Sequence, residues 1–180
     1  MTFLFHNGRY SARFAQTDCD LHACQQLRHR CFFGGEGLDS DSFDAACKHL
    51  MVIDSAGSVV ATARLFHLRT GAEIHSSYAA QFNDLSGLSG NNSAMMELGR
   101  FCIAPDVLDV DVLRVTWGAL TQIVDKNEVA YLFGCTSFAG TDPARYGRAF
   151  ARLRAKHLGP AGLRPLARTD CLIPLVDVPP

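Results

Sequence analysis

Glu97-Leu98-Gly99-Arg100-Phe101-Cys102 sets a carboxylate and a guanidinium three residues apart in an otherwise apolar run. A carboxylate in a strand core can take a proton directly or through a water, and burial suits it to that work by disfavouring its charged form. Strict alternation along a strand points residues 97 and 100 to opposite faces. A β-bulge at Gly99-Arg100 realigns them, and glycine suits a bulge. A second set of charges lies upstream: Arg28 and Arg30 in Leu27-Arg28-His29-Arg30-Cys31-Phe32, then Asp41 and Asp44 ahead of Cys47-Lys48-His49-Leu50, and Arg64 in Thr62-Ala63-Arg64-Leu65. Together with Arg100 they can hold a small dipolar molecule, carboxylates taking its ammonium groups and an arginine gripping its carboxylate in a bidentate fork. They can equally form an ion-pair network that orders residues 33–48, and both uses can hold at once. Glu97 has its own plain reading, a pair with a neighbouring arginine in an unbroken strand.

Other patterns exclude more than they suggest. The seven cysteines are odd in number and contain no Cys-x-x-Cys pair, so neither a disulfide framework nor a zinc site is supported; reduced thiols in a cytoplasmic setting fit. Cys102 and Cys135 sit in apolar runs and read as core. The seven histidines show no ligand spacing, and no metal is expected. Gly34, Gly35 and Gly37 follow no strand and precede no Gly-Lys-Ser/Thr, so they are not a phosphate loop. The net charge of -1 divides unevenly: residues 142–180 hold seven basic against three acidic side chains, and residues 1–141 hold ten against fifteen. That balance argues against a nucleic-acid binder, while the basic tail suits an acidic carrier protein, a membrane surface, or a merely solvated helix face. No apolar run reaches bilayer length, and the first residues carry no signal-peptide pattern.

The elements that must position these residues follow from periodicity. A strand is expected over residues 9–15 and a helix over 17–32, with Leu21, Cys24, Leu27 and Cys31 at helical spacing and Asp18 or Asp20 at its start. Residues 49–54 and 58–68 read as a hairpin turning at Ser55-Ala56-Gly57. Residues 70–92 form a polar excursion with one helical turn near 79–83. A strand over 94–104 leads to a helix capped by Asp109 or Asp111, running to Lys126 with Leu113, Trp117, Leu120 and Val124 on its inner side. The apolar stretch 130–138 reads as a central strand, a helix follows from Asp142-Pro143 to His157, and residues 163–175 supply a last strand. Length and the absence of a linker give one domain, 1–180, of α/β (α+β) class with a central mixed sheet flanked by helices.

The four motifs quoted above resemble those of the bacterial ornithine acyl-ACP N-acyltransferases of ornithine-lipid synthesis and, more distantly, the acyl-homoserine-lactone synthases. The match continues in Gln81-Phe82-Asn83-Asp84-Leu85, in Tyr131-Leu132-Phe133-Gly134-Cys135-Thr136-Ser137-Phe138 and in Gly140-Thr141, covering most of residues 20–160. The resemblance implies a GNAT acyltransferase fold and transfer of a 3-hydroxyacyl group from acyl carrier protein to ornithine, with no bound cofactor. It implies Glu97 and Arg100 as catalytic residues, backbone amides from Arg100 through Phe101, Cys102 and Ile103 as donors to the thioester oxygen, and Arg28, Arg30, Asp41, Asp44 and Arg64 at the acceptor.

Two departures shape that expectation. Acetyl-CoA-dependent GNAT enzymes carry a glycine-rich pyrophosphate loop, whereas Pro105-Asp106-Val107-Leu108-Asp109-Val110-Asp111-Val112-Leu113 has no glycine and three aspartates. An acyl carrier protein, which presents one phosphate, therefore fits better than acyl-CoA, and Arg145, Arg148 and Arg152 on one helix face are candidates to dock it. The chain also stops earlier than the family usually does, so the last strand of the fold is either replaced by residues 172–176, supplied by another chain, or missing. Two rival readings follow: an acyl-homoserine-lactone synthase-like enzyme, disfavoured by Gly34-Gly35-Glu36-Gly37 and the lack of a tryptophan after Phe32, and a degenerate GNAT domain that binds an acyl carrier without turnover. Peripheral contact with the cytoplasmic face of the inner membrane is a further expectation.

Overall fold

The computed structural model describes residues 4–168. In chain order the elements are β1 (Phe5–Asn7), β2 (Tyr10–Phe14), α1 (Asp18–Phe32), β3 (Lys48–Ile53), β4 (Val59–Leu68), β5 (Asn83–Asp84), β6 (Met95–Ile103), α2 (Val110–Lys126), β7 (Tyr131–Phe133), α3 (Gly147–Lys156) and β8 (Leu166–Ala167). They fall into two compact units, residues 4–69 with 93–134 and residues 70–92 with 135–168.

The first unit is a six-stranded sheet ordered β1-β2-β3-β4-β6-β7, antiparallel except for the parallel β6–β7 pair. It is the expected mixed sheet with helices on its faces. The expected strand at 9–15 is the second arm of a hairpin whose turn passes through Gly8, at φ +60, and whose first arm, β1, was not expected from the sequence. On one face Ala12, Leu50, Val52, Ala61, Ala63, Leu65 and Met96 pack against Val112, Val115, Ala119, Leu120 and Ile123 of α2. Each buried Val, Leu, Ile or Met among them contributes about 1.5–3 kcal/mol. On the other face lies α1, whose Leu27 packs with Cys102 and Ala104.

Local chemistry fixes the helices in place. Thr17, not Asp18 or Asp20, caps α1, its hydroxyl accepting from the Asp20 amide at 3.1 Å. A cap of this kind is worth about 1 kcal/mol. The Asp20 carboxylate instead takes both guanidinium nitrogens of Arg13 on β2 at 2.7 Å and so ties the helix start to the sheet. Asp109 caps α2, accepting from the Asp111 amide at 2.9 Å. The buried stripe of α2 runs through Val112, Val115, Thr116, Ala119, Leu120 and Ile123, one residue round from the expected one. Trp117, expected in the core, is 45% exposed, its ring set edge-to-face with Phe101 at 6.4 Å between centres. The smaller, β-branched side chains let the helix approach the sheet more closely than Leu113 and Trp117 would.

The strand expected over 130–138 is shorter and lies elsewhere. β7 has three residues and forms an edge of the sheet, with Tyr131 and Leu132 more than a third exposed. Its ladder with β6 ends at Glu97–Phe133. At the next residue a Cβ on Gly134 would stand 2.2 Å from the Leu98 carbonyl oxygen, so only glycine fits. Cys135, expected in the core, is exposed, whereas Cys102 is buried.

The second unit holds three 3-10 turns in residues 70–92, where one was expected, and a two-stranded sheet of β5 with β8. β8 is the described part of the last expected strand, and it pairs with β5; residues 172–176 lie outside the described residues. The expected helix from Asp142 begins as a 3-10 turn, Pro143–Tyr146, in which Asp142 accepts from the Ala144 amide, and continues as α3. Phe138 packs on Tyr146 and Phe150 at 4.9 and 5.0 Å between ring centres. Among the described residues no helix is long and apolar enough to cross a membrane.

Candidate functional site

Arg28 stands on the inner side of α1 and is fully buried. Its Nε donates to Asp39 Oδ2 at 2.9 Å, and Nη1 and Nη2 donate to the two oxygens of Asp44 at 3.0 and 2.9 Å. Nη2 also donates to the Asp39 main-chain carbonyl. A buried guanidinium is tolerated only when its donors are met in this way. Arg64, on β4, adds bonds from Nη1 to Asp44 Oδ1 at 2.9 Å and to Asp41 Oδ1 at 2.5 Å. Arg100, on β6, places Nε 3.0 Å from Asp39 and Nη2 3.5 Å from Asp41, with its guanidinium 5.9 Å from the Phe32 ring centre. Three cations from α1, β4 and β6 thus meet three carboxylates from one segment, residues 39–44.

Burial alone would raise the pKa of Asp44, but hydrogen bonds from Arg28, Gln25 and Arg64 outweigh it and hold the carboxyl well below its usual range. Gln25 Nε2 supplies one of them at 2.8 Å. Burial pushes the pKa of His49 down, which keeps the imidazole neutral. Its ring then donates from Nε2 to the Asp44 carbonyl at 3.1 Å and offers Nδ1 to Arg28 Nη1 at 3.4 Å. Sequence reasoning left Asp39, Gln25 and His49 out of the site. The first belongs to the acidic stretch that leads into Asp41 and Asp44, the second lies one helical turn (i, i+3) from Arg28, and the third alternates with core residues on β3.

Arg30 does not join this cluster. It pairs with Asp106 at 3.2 Å on the surface, both side chains about half exposed or more. Residues two apart on a helix do not share a face, so Arg28 and Arg30 could not both point inward.

The bulge expected at Gly99-Arg100 is present. Thr62 stands opposite Cys102 and Arg64 opposite Gly99, so three steps on β6 match two on β4. Arg100 takes the left-handed conformation, φ +51, which costs a non-glycine residue about 1–2 kcal/mol. The facing of β6 changes parity there: Met96 and Leu98 belong to the core under α2, as do Phe101 and Ile103. Arg100 can therefore share the opposite face with Glu97. Glu97 is 4% exposed and stands opposite Phe66 on β4 and Phe133 on β7. Beyond Glu97 the β6–β7 ladder has no further rungs among the described residues, so the amides of Phe101 and Ile103, which point away from β4, follow on a bulge beside the ladder's end, whereas the expected donor Cys102 turns its amide to β4, opposite Thr62.

In the second unit Arg145 lies in the 3-10 turn before α3, its guanidinium 5.9 Å from the Tyr146 ring centre, and Arg148 and Arg152 share one face of α3 at i, i+4. All three are exposed.

Residues 13–118 match the acetyltransferase (GNAT) domain family. The chain is 36% identical, over 88% of its length, to the L-ornithine N(alpha)-acyltransferase of Rhodobacter capsulatus and spans 68% of that protein. It is 29% identical, over 77% of its length, to the enzyme of the same name from Brucella abortus, of which it spans 56%. Among solved structures it is similar to FeeM, an N-acyl amino acid synthase from uncultured soil microbes, with TM-score 0.51 at 15% identity over 69% of each chain. An integron cassette protein of V. cholerae aligns with TM-score 0.52 at 10% identity, over 91% of this chain and 94% of that one. At these identities the two structures speak for the fold.

Proposed function

We propose that this chain, which belongs to the GNAT acetyltransferase family and stands with the L-ornithine N(alpha)-acyltransferases, moves a 3-hydroxyacyl group from acyl carrier protein to the α-amine of ornithine. The chain is an N-acyltransferase; the donor, the acceptor and the residue roles are our assignment, with residues 1–180 working as one domain. The observation that carries the roles is the β6 bulge beside the end of the β6–β7 ladder, with Glu97 buried on one side of it.

Glu97 takes a proton from the α-amine. The nitrogen attacks the thioester carbonyl and a C–N bond forms, while the oxygen becomes anionic. The amides of Phe101 and Ile103, which point away from β4, receive that charge, each such donor being worth about 10²–10³ in rate. The intermediate collapses, the C–S bond breaks, and the carrier's thiolate leaves as the thiol with the proton that the attacking nitrogen gives up on becoming an amide. Asp41, a quarter exposed where Asp39 and Asp44 are closed off, meets the acceptor's side-chain ammonium, and Arg100, equally open, grips its carboxylate. Arg28, Asp44 and Arg64 hold residues 39–47 in position for both.

The donor assignment rests on α2. At its N-cap the Asp109 carboxylate already takes the Asp111 amide and pairs with Arg9. A helix start closed by a carboxylate, with Asp106 and Asp111 beside it, suits a single-phosphate arm on a carrier better than the pyrophosphate of acyl-CoA. Arg145, Arg148 and Arg152 then dock the acidic carrier at the cytoplasmic membrane face, where an amphiphilic product belongs. The test is the pure protein with labelled ornithine and either 3-hydroxyacyl-ACP or 3-hydroxyacyl-CoA. Acylated ornithine from the first donor supports the reading. Tight carrier binding without product supports a domain that only binds, and equal use of both donors removes the carrier.

A further inference from the structure

The side chains level with Glu97 define a surface that the charges leave unassigned. Cross-strand partners point to the same face of a sheet. Glu97 is opposite Phe66, and Lys48 is opposite Leu65, so one step back along β3 brings Cys47 level with Phe66. Cys47 has extended backbone, φ -106 and ψ 155, and therefore keeps the alternation of the strand it precedes. Its side chain falls on the face of His49 and Arg64, the face of the ion network. Cys47, Phe66, Glu97 and Phe133 are thus one row across the sheet, next to the row of His49, Arg64 and Gly99. Strands lie about 4.8 Å apart, so Cys47 is about 10 Å from Glu97 with the Phe66 ring between them. Burial pushes the Cys47 thiol up to about 11, and Arg64, Glu97, Asp44 and Asp41 are the charges that act on it. At neutral pH it is a small uncharged group among charges, neither nucleophile nor ion partner.

Resting on the N-acyltransferase reading above, we propose that Phe66 and Cys47 are the floor of the acceptor site and set the length of diamino acid it accepts. The α-amine lies at Glu97, the methylenes cross the Phe66 ring, and the distal ammonium reaches Asp41 above Cys47. An aromatic floor suits methylenes, and a small neutral end leaves Asp41 to take the charge. Side-chain bulk at position 47 then decides how many methylenes fit between Glu97 and Asp41.

The experiment compares kcat/KM for 2,4-diaminobutyrate, ornithine and lysine at saturating acyl donor, in wild type, Cys47→Leu and Cys47→Ala, with Cys19→Leu, exposed at the start of α1, as control. Cys47→Leu should lower the ornithine-to-diaminobutyrate ratio about 10-fold or more, the usual worth of one methylene in a fitted pocket. Cys47→Ala should move preference toward lysine, and donor KM and the Cys19→Leu ratios should not move. Unchanged ratios in folded Cys47 variants overturn the floor. If Cys47→Leu does not fold, Cys47→Ala and Phe66→Leu decide by the same ratios. A wild-type protein that acylates none of the three overturns the acceptor reading itself, a result distinct from an active enzyme whose selectivity ignores position 47.

Discussion

Arg28 and Arg64 in the first unit and Arg148 and Arg152 in the second are the same side chain in opposite surroundings. The first two are buried and bonded to carboxylates at 2.5–3.0 Å. The last two stand exposed on one face of a helix. A buried guanidinium has given up its water and must recover that loss through fixed geometry, so it dictates where residues 39–44 lie. An exposed guanidinium keeps its water and acts at a distance, through a field that salt screens. Position is the work of the first pair and attraction the assigned work of the second, and each can be tested by removing charge.

The largest effect belongs to the buried carboxylate assigned to chemistry instead of to position. Glu97→Gln keeps the shape and removes the base, and turnover should fall about 10²–10⁴-fold. Thermal unfolding should stay close to wild type. Near-normal turnover in a folded Glu97→Gln protein takes Glu97 out of the mechanism and leaves it a structural group.

Arg28→Ala strands Asp39 and Asp44 without their main partner and should cost about 3–5 kcal/mol of stability. Lysine should not rescue it, since an ammonium cannot serve both carboxylates in a fork. If the loss is small by urea unfolding, the cluster is not what holds residues 39–47. Acid should expose the same dependence. The folded-state pKa of Asp44 lies below its unfolded value, as does that of Asp20, held down chiefly by its hydrogen bonds from Arg13. Their stabilisation is therefore full above the unfolded carboxylate pKa, about 4, and is lost as pH falls toward the folded values. Urea midpoints measured from pH 7 downward should hold and then drop below that point, and Asp44→Asn should flatten the drop.

What the sequence disclosed follows the same division. The bulge was legible because Glu97 and Arg100 are three apart, an odd spacing for two groups meant to share a face. The charged cluster was legible in its residue types but not in its membership. Helical geometry sends Arg30 outward, and Asp39 and His49 enter only through a loop path and a strand parity that no local pattern fixes. The apolar run from 130 read as a long central strand because hydrophobicity marks burial and not where a ladder ends; the ending is set by the close approach at Gly134. Trp117 failed by one residue of helical phase, the margin between a core side chain and an exposed one.

The smallest effect is the most diagnostic of the exposed pair. Arg148→Glu with Arg152→Glu reverses two charges on one face of α3 and, on the proposed reading, repels an acidic carrier. Exposed charge pairs are worth only about 0–1 kcal/mol each, so KM for acyl-ACP should rise about 10-fold, within the reach of two reversals. The change should sit in the association rate, because rim charges steer encounter and leave the chemical step alone. Added salt should weaken wild-type docking and shrink the difference between the two proteins, since the screening length is about 8 Å at physiological ionic strength. A 3-hydroxyacyl-CoA donor, which needs no protein docking, should respond little to the reversal. If the double variant leaves acyl-ACP kinetics unchanged at low salt, the basic face of α3 is a solvated surface and the carrier docks elsewhere; if kcat falls with KM constant, these arginines act on the reaction and their likeness to Arg28 and Arg64 is closer than their exposure suggests.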